Sequence, residues 1–164
     1  MIVVLMGVAG SGKTTIGRLL AEELGWQFFD ADDLQPQANI ERMHRGVALT
    51  DEDRAMWLER VGALTSKLSR QGGSAVLAFS GLRRAYREHV AAGNDALRFV
   101  YLKGDRALLQ QRLKQRRGHY FGADLLPSQL ATLEEPEKPE NVPVVSVAGN
   151  PSAVVAQVRK VLGI

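Results

Sequence analysis

The stretch GVAGSGKTT, residues 7–15, constrains this chain more than any other because of what stands on either side of it. Before it comes IVVLM, a β-branched run that reads as a buried strand over 2–6. After it, TTIGRLLAEEL carries apolar residues at Ile16, Leu19, Leu20 and Leu24, the spacing of one helical face, and Gly25 supplies the stop. Strand, glycine loop and helix in that order frame the pattern G-x-x-x-x-G-K-[ST], filled by Gly7, Gly12, Lys13 and Thr14. Glycines let the loop turn tightly enough for successive backbone N–H groups to converge on one anion, and the helix start adds partial positive charge. Lys13 then reaches the β- and γ-phosphates of a nucleotide, and the Thr14 hydroxyl ligates Mg²⁺. Gly10, Ser11 and Thr15 complete the nucleotide-binding set. A purely structural glycine turn matching the pattern by chance would seldom have the strand before it and the helix after it. A dinucleotide loop needs a third glycine where Thr15 stands. ATP with Mg²⁺ is the expected ligand.

The rest of the chain alternates short apolar runs with amphipathic ones. Strands are expected over 26–29, 74–80, 97–102 and 142–147, and helices over 36–46, 51–69, 83–91, 105–116 and 152–162. Thr50 with Asp53 three residues on is an aspartate form of the capping box, which marks the start of the second of these helices. This alternation predicts one three-layer α/β/α domain over 1–164 around a mostly parallel sheet. Residues 118–141 break the pattern, being polar and bracketed by prolines, with a short helix expected from Pro127. Such an insertion after a basic helix reads as a mobile lid, about 116–136.

Composition removes several classes of function. There is no cysteine, which excludes disulfides, thiolate metal sites and a thiol nucleophile. Lys and Arg number 21 against 18 Asp and Glu, spread along the chain apart from local densities at 83–87 and 112–117. This balance suits phosphate handling as well as a nucleic acid; a short chain with no added recognition domain makes no nucleic-acid partner the expectation. The apolar start is too short to cross a bilayer and lacks a basic flank, so no membrane partner and a cytoplasmic location are expected.

A phosphate cradle needs an acceptor to make a kinase. DADD follows the second expected strand, and alternation along an extended chain points Asp30 and Asp32 the same way, toward the carboxyl edge of the sheet. One of the two suits a metal-bound water and the other an acceptor hydroxyl whose proton it takes; Asp33 reads as loop solvation. Arg54 is not explained by the helix start it follows and suits an anionic acceptor. SGLRRAYR sets Arg83 and Arg84 at the same edge, where a guanidinium fork matches a carboxylate or phosphate. Arg112 and Arg116, four apart, share a helix face toward the nucleotide, and His119 lies beyond them in the lid. Trp57, Trp26, Phe28 and Phe29 read as core.

Taken together, MGVAGSGKTT, DADDLQPQANIERM, GVALTDEDRAMWL, SGLRRAYR, RLKQRRGHYF and LLPSQLATLEEP resemble the gluconokinases, within the shikimate-kinase-like P-loop group, over nearly the whole chain. The resemblance implies a sheet of order 2-3-1-4-5, a homodimer, and transfer of the γ-phosphoryl of ATP to the 6-hydroxyl of D-gluconate. It implies Asp32 as acceptor-binding carboxylate and base, Asp30 near the metal, and Arg54 and Arg83 facing the sugar acid. It sets Arg112 against adenine and Arg116 in the lid; His119, Gln129 and Thr132 also occupy matching positions. Departures from the family pattern are Gln35 for histidine, Ala31 for glycine, Phe79 for cysteine, Gly81 for alanine, Arg83 for lysine and Ser146 for aspartate. Shikimate or another sugar acid is the alternative acceptor, and a nucleotide-switched RNA- or protein-binding module the alternative from a different class.

Overall fold

The computed structural model describes residues 1–115 and 125–164. Five parallel strands, β1 (Ile2–Met6), β2 (Gln27–Asp30), β3 (Ala75–Ala78), β4 (Leu97–Lys103) and β5 (Val144–Ser146), form one sheet in the order β2-β3-β1-β4-β5. This is the order that the resemblance implies. Seven α-helices are assigned among the described residues: α1 (Lys13–Leu24), α2 (Gln37–His44), α3 (Asp51–Arg70), α4 (Arg84–Ala91), α5 (Arg106–Gln115), α6 (Leu126–Thr132) and α7 (Pro151–Leu162).

All five residues of β1 are fully buried, and they divide by parity as a pleated strand must. Ile2 and Val4 face Trp57, Leu58 and Val61 of α3 and Tyr86 and Val90 of α4. Val3 and Leu5 face Ile16 and Leu20 of α1 and Val154, Val155 and Val158 of α7. Helices therefore cover both faces, which is the three-layer arrangement expected. A third apolar cluster, from Val8 and Ala9 through Leu109, Leu113 and Leu126, seats the glycine loop on α5 and α6.

Element limits differ from expectation for local reasons. Trp26 spends its N–H on the Ala21 carbonyl in the turn that ends α1, so β2 starts one residue later. Pro36 is extended (φ −57°, ψ 146°) and α2 begins after it rather than on it. Pro143 has no N–H for the ladder, which shortens the last strand to three residues. The capping box forms as expected: Thr50 Oγ1 accepts the Asp53 N–H at 3.2 Å and Asp53 Oδ2 accepts the Thr50 N–H at 2.9 Å.

One buried charge belongs to the scaffold. Arg87, 3 % exposed, is held in two-pronged contact by Glu140 at 2.6 and 2.7 Å and also donates to the Gly81 and Glu134 carbonyls. Its acceptors among the described residues lie in the segment between α6 and β5 or in the loop between β3 and α4. The guanidinium thus fastens that segment to α4. No helix among the described residues is long and apolar enough to cross a membrane.

Candidate active site

The loop between β1 and α1 has the backbone that its glycines were expected to permit. Gly7 lies at φ +147°, where a Cβ would come within 2.7 Å of the Leu102 carbonyl oxygen. Gly10 lies at φ +82°, with a Cβ 3.0 Å from the Leu109 carbonyl oxygen. Side chains at either position would push the loop off β4 and α5. Lys13 folds back over the loop and donates to the Val8 carbonyl at 3.1 Å. Ser11 is fully buried beneath the loop and its hydroxyl has no hydrogen-bond partner among the described residues, so its side chain shapes the cradle from below.

Gly10, Gly12, Lys13 and Thr14 open on a cavity of about 240 Å³ whose walls come from four other parts of the chain. Asp30, Asp32 and Asp33 line it, but not as an extended run. Residues 31–34 form a 3-10 turn capped by Asp30, whose Oδ1 accepts the Asp32 N–H at 3.1 Å. The alternation argument therefore fails for this stretch, and the turn, not a pleat, brings Asp30 and Asp32 to one cavity. Its far side is held by Trp57, whose indole N–H donates to the Ala31 carbonyl at 2.6 Å. Trp57 is core, as expected, and it also lines the cavity.

Asp30 reaches the loop as well as the turn. Its Oδ2 accepts the Thr14 hydroxyl at 2.9 Å, so one hydroxyl and one carboxylate meet at the mouth of the cradle. Among the described residues no group of three or more acidic or histidine side chains could hold a metal by itself. That pairing fits Mg²⁺, which keeps several waters and takes its remaining ligands from substrate phosphates. Thr14 and Asp30 are the residues that would hold it.

The two arginines expected at the acid end part company. Arg54 lines the cavity; Arg83 does not. Arg83 precedes α4 and its guanidinium lies 3.1 Å from Asp51 Oδ2. Asp51, the first residue of α3, accepts the Tyr86 hydroxyl and stands 3.8 Å from Arg54. Both guanidinium carbons lie over the Tyr86 ring, at 5.8 and 5.9 Å from its centroid. The Tyr86 hydroxyl, aided by Arg83 and Arg54, holds the Asp51 carboxyl below the usual aspartate range. Burial and the Asp51 hydrogen bond push the Tyr86 phenol up. Tyr86 thus stays a neutral donor that aims Asp51, and the pair orients Arg54. Sequence reasoning passed over Tyr86 because its partner lies 35 residues away.

Two glutamines also line this cavity, Gln35 and Gln129. Gln129 sits on α6, and its Oε1 accepts the Ala9 N–H of the glycine loop at 2.6 Å. Leu126, one turn earlier, is fully buried against the same loop. Thr132 lines the cavity too, although its hydroxyl donates to the Ser128 carbonyl of its own helix at 2.9 Å.

Thr15 and Arg112 belong to an adjoining groove on the other side of the loop, closed by Val147, Gly149 and Pro151. Arg112 spans it, donating to the Val147 carbonyl at 2.6 Å. Arg116 and His119 lie outside the described residues, as does the part of the expected lid over 116–124. Arg84 is exposed and paired with Glu88 at 2.7 Å.

The chain matches the shikimate kinase family over residues 9–140. It is 45% identical over 146 residues to a gluconokinase of Gluconobacter oxydans (strain 621H), covering 89% of this chain and 81% of that one. An unliganded sugar kinase from Janibacter sp. HTCC2649 superposes with a TM-score of 0.92 at 38% identity, over 99% of this chain and 94% of that one. A gluconokinase from Sinorhizobium meliloti 1021 gives 0.81 at 35% identity, over 98% and 94%. A phosphate loop sharing one cavity with Asp32 and Arg54 agrees with those likenesses, and the chain belongs to the gluconokinase family of ATP-dependent small-molecule kinases, within the shikimate-kinase-like group.

Proposed function

We propose that this protein transfers the γ-phosphoryl group of ATP to the 6-hydroxyl of D-gluconate, giving 6-phospho-D-gluconate and ADP. The observation that carries the reading is the single cavity in which the phosphate loop, Asp32 and Arg54 meet. Relatives named gluconokinases at this identity and coverage support the choice of acid. Arg54 anchors the carboxylate end of the open-chain acid. The terminal hydroxyl then lies toward the loop, where anchoring the far end converts a bimolecular encounter into a positioned one.

Asp32 accepts the proton of that hydroxyl as its oxygen bonds to the γ-phosphorus and the bridging P–O bond to ADP breaks. Lys13 and the loop N–H groups stabilise the charge that develops on the transferring oxygens. Thr14 and Asp30 would hold Mg²⁺, which would supply further neutralisation of phosphate charge. The groove bridged by Arg112 takes adenine. Arg83 acts through Asp51 rather than on the acid itself.

The segment 116–136 serves as a lid, and its described end, α6, is already seated on the loop through Gln129. A homodimer in the cytoplasm completes the reading. Hydrogen exchange should show added protection over 125–136 when ATP and acceptor are both present, and light scattering should give twice the mass of one chain. The function is tested by a coupled ADP assay across gluconate, other aldonates, shikimate and neutral sugars. Gluconate should give the highest kcat/KM. Faster turnover of neutral sugars than of every acid would remove the arginine anchor and the gluconate reading together.

A further inference from the structure

Gln35, in the wall of the cavity, is backed by a second buried amide, Asn39. Gln35 is 7 % exposed and Asn39 is 4 % exposed. Asn39 Nδ2 lies 2.7 Å from the Asp53 carbonyl oxygen and 3.0 Å from Gln35 Oε1. A backbone carbonyl only accepts, so the Asn39 atom that faces it is the amide nitrogen. That nitrogen carries a second hydrogen, directed at Gln35, and Gln35 answers it with oxygen. Turning Gln35 over would set two NH₂ groups against each other. The hydrogen-bond network therefore assigns both amides.

The consequence falls at the other end of the Gln35 side chain. With Oε1 committed, the group left for the cavity is Nε2, which donates and cannot accept. Among the described residues no protein acceptor takes its hydrogens, and it is not sealed off as an orphaned atom. Gln35 lines the same cavity as Arg54 and Asp32. The residue that anchors the relay, Asp53, directly precedes Arg54, so the amide and the guanidinium are held in register by the first turn of α3. A charge-free donor oriented through its own amide oxygen reads one thing well: the lone pair of an oxygen at a set distance from the anchored carboxylate.

We propose that Gln35 is a specificity-determining residue whose Nε2 donates to one hydroxyl oxygen of the acceptor, oriented by Asn39 and the Asp53 carbonyl. The identity of the acceptor rests on the gluconate reading; the orientation of the amide does not. Gln35 selects for a hydroxyl at one position along the carbon chain, which separates it from Arg54, a reader of charge alone.

The test measures kcat/KM for D-gluconate and each of its monodeoxy analogues with wild type, Gln35→Glu and Asn39→Ala. In wild type, one analogue should fall about tenfold or more below gluconate through KM, because the Gln35 donor is then left unpaired. Gln35→Glu keeps an oxygen for Asn39 but replaces the donor by an anion. That variant should lose the discrimination at that one position while keeping wild-type ratios for the other analogues. Asn39→Ala, which frees Gln35 to turn, should blunt the same ratio, and thermal melting confirms that each variant is folded. Identical ratios across all analogues in wild type and Gln35→Glu would overturn the proposal. If wild type prefers another acid over gluconate, the gluconate reading falls, and the deoxy series of that acid decides on Gln35 in the same way.

Discussion

The indole N–H of Trp57 donates to the carbonyl oxygen of Ala31 at 2.6 Å, tying the helix that carries Arg54 to the turn that carries Asp32. Trp57 is 3 % exposed and packs at a 44° tilt against Phe79, centroids 5.2 Å apart, so its ring is part of the core while its nitrogen sets the site. Trp57→Phe keeps most of the apolar contact and leaves the Ala31 carbonyl without its partner. We expect a stability loss of about 1–3 kcal/mol by urea titration. We also expect a fall in kcat larger than any change in the KM for ATP, because the turn bearing Asp32 loses its anchor. An unchanged kcat in a destabilised variant would separate the two roles.

Lys13→Ala should fold with a near wild-type melting temperature, since Lys13 is not part of the apolar core and donates to the Val8 carbonyl of the loop. Phosphoryl transfer should fall by about 10²-fold or more, as charge develops on the transferring group within reach of that ammonium. Equal turnover by variant and wild type, in preparations free of other kinases, would refute the role.

Arg54→Ala and Arg83→Ala should behave differently although both guanidinium groups flank Tyr86. Arg54 lines the cavity and has a side chain 21% exposed; Arg83 stands outside it, 41% exposed, bound to Asp51. Loss of Arg54 should raise the KM for the acid acceptor by at least about tenfold, the scale of one lost charge-assisted hydrogen bond. Loss of Arg83 should change it by only a few-fold, acting through Asp51. Steady-state kinetics on both variants checks this, and equal effects would place Arg83 in direct contact with the acid.

Arg87 and Glu140 make a stability prediction far from the chemistry. Arg87→Leu leaves Glu140 and two carbonyls without their donor and should cost about 3–5 kcal/mol in urea unfolding. The Arg87 hydrogen bonds hold the Glu140 carboxyl below the usual glutamate range. A carboxyl depressed in the folded state stabilises above its unfolded value and loses that contribution as pH falls through the folded one. The stability difference between wild type and Glu140→Gln should therefore be full near neutrality and shrink below about pH 4.3, the ordinary glutamate value. A difference that stays constant down to pH 3 would show that the charge of Glu140 contributes nothing.

The glycine loop, its flanking strand and helix, the capping box at Thr50 and the alternation of β and α were legible along the chain. Each is a local matter: φ/ψ freedom at Gly7 and Gly10, a side-chain oxygen three residues from the N–H it caps, burial periodicity of two or 3.6. The candidates Lys13, Thr14, Asp30 and Asp32 were legible because they end or follow strands at the carboxyl edge of a parallel sheet, where ligands collect, and Arg54 because the helix start did not account for it. Tertiary structure alone decided the rest. Whether DADD ran extended or turned depended on Trp57, 26 residues on, which claims the Ala31 carbonyl. That Arg54 enters the cavity while Arg83 leaves it depended on Asp51 and Tyr86, and the place of Gln129 depended on a backbone N–H 120 residues away. Buried polar groups must find partners wherever the fold puts them, and sequence separation carries no information about which partner that will be.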